Sequence, residues 1–96
     1  MPYIKPDRRL KYNLLLEVLA RIIAEENANN CTSFVGDWNY CITKLIKSTL
    51  KVENCNKNYT QQNEIMGMFE CCKHEWYRKE VAPYEDLKAK ENGEVE

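Results

Sequence analysis

The stretch Phe34-Val35-Gly36-Asp37-Trp38-Asn39-Tyr40-Cys41-Ile42-Thr43-Lys44-Leu45-Ile46-Lys47-Ser48-Thr49-Leu50 decides the fold class. Phe34, Trp38, Cys41, Ile42, Leu45, Ile46, Thr49 and Leu50 recur at steps of three and four, which gathers them on one side of an α-helix. This is the cleanest helical periodicity in the chain. It predicts a helix from Ser33 to about Leu50, capped by Thr32 or Ser33.

Upstream, Pro2 and Pro6 disfavour helix before them, so residues 1–7 read as an extended arm with Asp7 as the helix cap. From Arg8 to about Glu26 the pattern is again helical. Leu15, Leu16, Leu19, Ile22 and Ile23 make one stripe, and Leu14 and Val18 widen it. A helix apolar over so much of its circumference is suited to burial on two sides, as in an oligomer core. Asn27, Asn29 and Asn30 break it.

Downstream, residues 51–59 read as a polar loop. A third helix is expected from Thr60, or from Asn58 as cap with Gln61 three residues on, to Ala82. Its stripe is Ile65, Met68, Phe69, Cys72 and Trp76. Pro83 should end it. Tyr84–Glu91 fits a short last helix with Asn92-Gly93 as its stop and a flexible tail at 92–96. The expectation is therefore one all-α domain over residues 1–96. It is a small bundle of three main helices plus a short C-terminal helix, completed by homo-oligomerisation. The shared helical phase predicts a core of Leu15, Leu19, Ile22, Phe34, Trp38, Ile42, Leu45, Ile65, Phe69 and Trp76.

Composition narrows the function. At 96 residues the chain holds one domain, and a domain of this size is only marginally stable alone. Fourteen basic and fifteen acidic side chains leave a net charge of −1, which argues against a uniformly basic nucleic-acid binder. The charge is dipolar, with residues 1–51 net +3 and residues 85–96 net −3, so the acidic tail of one copy is able to lie on the basic front half of another. No apolar run reaches the ~18–20 residues of a membrane span, and the N-terminus lacks the apolar core of a secretion signal. A cytoplasmic protein is expected, in the host cell if the chain is phage-encoded.

Five cysteines, Cys31, Cys41, Cys55, Cys71 and Cys72, do not suggest a disulfide framework, because the count is odd. Cys71, Cys72 and His74 crowd together, yet adjacent cysteines point ~100° apart on a helix and no Cys-x2-Cys pair occurs. No metal and no cofactor is expected, and Cys41 and Cys72 read as small core hydrophobes. Glu70 and His74 are placed to meet at i, i+4, but no nucleophile accompanies them. Glu64, Glu70 and Glu75 do not share a face for magnesium. The chain is not expected to be an enzyme.

Two polar faces are unusual. Gly36, Asn39, Tyr40, Thr43 and Lys47 fall opposite the stripe of the second helix. On the third helix Asn63, Gly67, Glu70, Cys71, His74, Tyr77 and Arg78 do the same. Solvated faces are normally built from better helix formers, and Gly67 costs about 0.8–1 kcal/mol relative to Ala. Such a glycine admits close approach of a backbone or ligand. The candidate ligand-binding set is Asn39, Tyr40, Thr43, Lys47, Asn63, Gly67, Glu70, Tyr77 and Arg78. Lys47 and Arg78 offer charge to an anion, Tyr40 and Tyr77 offer rings, and Asn39 and Asn63 read hydrogen-bonding edges. That mixture suits a nucleotide-like ligand. A polar helix–helix contact with Gly67 at the crossing is the structural alternative.

Gly36-Asp37-Trp38-Asn39-Tyr40-Cys41-Ile42-Thr43, Asn63-Glu64-Ile65-Met66-Gly67 and Tyr77-Arg78-Lys79-Glu80-Val81-Ala82-Pro83-Tyr84-Glu85-Asp86, with Tyr3-Ile4 and Glu91-Asn92-Gly93, resemble a family of small uncharacterised bacterial and phage proteins. The resemblance covers about residues 2–5 and 36–96 and brings no known chemistry. Trp38 and Lys79 depart from the family pattern, and His74 stands where an aliphatic residue is expected. The phage-like resemblance implies one concrete use, sequestering a nucleotide signal of a host defence system. Two rivals are an interaction module or inhibitor acting through the same faces, and a nucleic-acid binder using Lys5, Arg8, Arg9 and Lys11.

Overall fold

The computed structural model describes residues 3–28, 34–53 and 58–95. All regular structure among them is helical: α1 (Pro6–Glu26), α2 (Val35–Val52), α3 (Tyr59–Trp76), a π-helical turn at Tyr77–Val81, and α4 (Ala82–Asn92). The chain divides into two units, Pro2–Asn56 with α1 and α2, and Lys57–Glu96 with α3, the π turn and α4.

In the first unit α1 begins two residues earlier than expected. Lys5 is the N-cap, without a side-chain capping bond, and Pro6 occupies the first turn, where its missing N–H costs nothing. Asp7 therefore sits inside the helix, and its carboxylate faces the positive end of the dipole rather than capping it. The arm preceding it is held by Arg9, whose Nε donates to the Ile4 carbonyl at 2.8 Å and whose guanidinium lies 6.0 Å from the Tyr3 ring centre.

The asparagine break is in place, and it also makes a corner. Asn27 caps α1 and its Nδ2 donates to the Ile23 carbonyl at 2.8 Å and to Asp37 Oδ2 at 2.9 Å, tying the end of α1 to the first turn of α2. The expected caps Thr32 and Ser33, and Cys31 and Cys55, lie outside the described residues. Phe34 is the N-cap of α2, its ring tilted against Trp38 with centroids 5.3 Å apart. The helix runs on to Val52, so Lys51 and Val52 are helical rather than loop.

In the second unit Asn58 caps α3, accepting from the Gln61 N–H at 2.8 Å. Pro83 does not end this helix as expected. Proline lacks the N–H that an α-helix would direct to the carbonyl four residues back, and its ring presses on that carbonyl. The backbone widens instead. The Ala82 N–H reaches the Tyr77 carbonyl five residues back, and Trp76, Tyr77, Val81 and Ala82 all keep right-handed helical dihedrals. The helix passes into α4 until Gly93, whose φ of 90° lies in the left-handed region and whose N–H bonds the Ala89 carbonyl at 2.8 Å.

Neither unit, taken by itself, buries the expected core among its described residues. Ile23, beside the Asn27 corner, is the one buried side chain among the described residues, at 8% exposure. Leu15, Leu19, Ile22, Trp38, Ile42, Leu45, Phe69 and Trp76 are exposed, and Phe34 and Ile65 are half-buried. Cys72 is exposed as well, its thiol 3.6 Å from Met68 Sδ, while Cys41 is half-buried. The cause lies in each unit's own geometry. In the first unit α1 and α2 are joined at a corner, with no buried residue on α2. In the second, α3 runs into α4, so neither folds back over the other's stripe.

Candidate functional site

The nine candidate residues occupy two helical faces. Asn39, Tyr40, Thr43 and Lys47 share one side of α2. All four are exposed. Thr43 Oγ1 donates to Asn39 Oδ1 at 3.2 Å, one turn away, which fixes the amide relative to the hydroxyl. Gly36 continues this face, with nothing among the described residues within 4 Å of the place a Cβ would take. Lys47 makes no ion pair among the described residues.

Asn63, Gly67 and Glu70 lie on α3, and Tyr77 and Arg78 follow on the π turn. Glu70 and His74 meet as their spacing predicts: Glu70 Oε1 lies 3.4 Å from His74 Nε2 and 2.9 Å from Lys73 Nζ. The hydrogen bond and charge of Lys73, with a smaller part from His74, hold the Glu70 carboxyl below its ordinary range. Arg78 is paired with Glu75, one turn earlier. Their hydrogen bond lowers the Glu75 carboxyl in the same way. An incoming anion must compete with Glu75 for Arg78. Cys71, His74, Glu75 and Arg78 line a shallow, open depression of ≈ 210 Å³. Among the described residues no group of three His, Cys, Asp or Glu side chains is placed to hold a metal ion.

Gly67 has nothing within 4 Å of its absent Cβ among the described residues, so none of their backbone uses the space it leaves. Tyr77 O–H donates to Glu85 Oε2 at 3.0 Å across the π turn, and this bond to a carboxylate raises the phenol's pKa. In an uninterrupted α-helix, positions eight apart stand about 80° out of phase. The wider turn brings them together.

Sequence reasoning missed three partners here. Glu75 was legible from its i, i+3 spacing to Arg78. Glu85 was not, because its contact depends on the π turn. Asp37 was not either, because the Asn27 bond crosses between two helices. No curated protein and no solved structure matches the chain. No helix among the described residues is long and apolar enough to cross a membrane. The matching family covers residues 1–95, and the chain belongs to it: the domain of unknown function DUF6899.

Proposed function

We propose that this protein is a non-enzymatic interaction module whose helices gain their core from another polypeptide chain. The observation that carries this reading is α2: strongly one-sided, with Trp38, Ile42 and Leu45 exposed along its stripe and no residue buried. A lone amphipathic helix of this length is marginal in water, and most helical stability comes from packing its apolar face. Apolar helical faces of this kind dock into grooves or pair with other helices. Thermal melts over a hundredfold range of chain concentration test the reading. An apparent Tm that climbs with concentration, or a broad melt sharpened only by an added partner, supports it. A cooperative melt of the lone chain at one Tm throughout would refute it.

A second reading is favoured by the polar face of α2. Among the described residues, the space at Gly36, the exposed Tyr40 ring, the Thr43–Asn39 bond and the exposed Lys47 offer room, a stacking surface, a fixed amide and a cation. These suit an anionic, nucleotide-like ligand, and in a phage-encoded protein such binding would sequester a host defence signal. A nucleotide panel that raises Tm by mass action, with the effect lost in Lys47→Ala, is the expected result. No shift with any nucleotide would remove this reading and leave the first intact.

A further inference from the structure

We infer that α1 is a self-association helix, pairing antiparallel with α1 of a second copy. The inference rests on the interaction-module reading and names its partner. Arg8, Tyr12, Leu15, Leu19, Ile22 and Glu26 follow one another at steps of four, three, four, three and four. That alternation is the seam of a two-helix coiled coil. In this chain the seam is open: Tyr12 is 42% exposed, Leu15 69%, Leu19 37% and Ile22 50%.

The charges decide the occupant. Residues 5–11 carry four basic side chains and one acidic, and residues 17–26 carry three acidic and one basic. No basic residue stands in the last turn of α1. This order opposes the helix's own dipole, which favours acids at the N-terminus and bases at the C-terminus. A lone α1 therefore loses stability by it. An antiparallel copy reverses the account, because its acidic end then lies along the basic end of the first.

The seam is symmetric about that arrangement. With Leu15 set against Leu19 of the other copy, Tyr12 falls against Ile22, and Arg8 meets Glu26 at each end. On the flank of the seam, Lys11 comes opposite Glu25, as flanking charges do in antiparallel coiled coils. Arg8, Lys11, Glu25 and Glu26 are all exposed and make no ion pair among the described residues. Ile23 and Asn27 lie roughly 60–100° around the helix from the seam centre, so the bond to Asp37 survives the pairing.

Sedimentation equilibrium of the full chain tests this with three variants. Arg8→Glu/Lys11→Glu and Glu25→Lys/Glu26→Lys should each raise the self-association Kd by about tenfold or more. Both exchanges make α1 a better helix by its dipole, so lost association cannot be ascribed to an unfolded α1. Combining all four should restore association to the wild-type level, since the complementarity returns with its signs exchanged. A parallel pairing sets like residues opposite one another in every variant and would leave association untouched by either double, which would overturn the proposal, as would a combined variant no stronger than the doubles. A wild-type chain that stays monomeric at ~100 μM also overturns it. If that monomer melts cooperatively, the interaction-module reading falls too. If it melts broadly and sharpens with a different added protein, only self-pairing falls.

Discussion

At the residue scale, Gly67 is the clearest lever. It stands in the middle of α3 without positive φ and with no atom of the described residues within 4 Å of where a Cβ would go. Gly67→Ala should stabilise the helix by about 0.8–1 kcal/mol, the ordinary propensity difference. Urea melts read the change, and a destabilised variant would show that an incoming chain or ligand uses that space. The paired carboxylates predict a pH dependence. Glu70 and Glu75 titrate lower in the folded helix than in the unfolded chain, held by Lys73 and Arg78. Their stabilisation is complete above the ordinary carboxylate value and is lost as pH falls through the lowered folded values. Helix content should therefore drop on acidification below about pH 4. The Glu70→Gln/Glu75→Gln variant should show a smaller drop in circular dichroism. Tyr77 has the opposite sign. Its raised folded value means its contribution holds below the usual tyrosine range and disappears at higher, alkaline pH.

At the scale of elements, Pro83 and the π turn belong together. The turn supplies the room and the altered bonding that an internal proline requires, and it sets Tyr77 against Glu85. Pro83→Ala returns the missing N–H and removes the ring. The segment should then relax to an α-helix and rotate the face of α4 relative to α3, breaking the Tyr77–Glu85 bond. Amide exchange and proton NMR of Tyr77 would show it: protection should rise at position 83, and the phenol's pKa should fall back toward its ordinary value. An unchanged Tyr77 titration would mean that the π turn has a cause other than Pro83. Of the element boundaries, the Asn58 cap and the Asn92-Gly93 stop were legible because each is a local hydrogen-bonding rule. The proline stop was misread because helix termination is only one of two ways to accommodate the missing donor.

For the whole molecule, the governing fact is that most apolar stripe residues of each unit are exposed within that unit. Leu45→Lys on the α2 stripe separates two roles for that surface. If the stripe is covered by another chain, the variant should lower the apparent Tm most at high concentration, where the wild type is assembled. If the stripe is used within the chain, the loss should be equal at every concentration. The stripes themselves were legible, residue by residue, from the spacing of Phe34, Trp38, Ile42 and Leu45. Their expected burial was not, because periodicity reports which side of a helix is apolar and carries no information about what lies against it. The same holds for the candidate residues: spacing put Asn39 beside Thr43 and Glu70 beside His74, while the pairing of Arg78 with Glu75 changed what Arg78 has to offer.

The sequence by itself determined the helices, the faces they present and the family to which they belong. These follow from interactions within four residues of one another: backbone bonds, caps and the 3.6-residue repeat. The tertiary structure alone decided three things. They are the Asn27–Asp37 corner between α1 and α2, the passage of the helix through Pro83 by a π turn, and the exposure of Leu15, Leu19, Ile22, Trp38, Ile42, Leu45, Phe69 and Trp76 on stripes where only Ile23 is buried among the described residues. Each depends on where distant atoms come to rest, which local pattern does not specify.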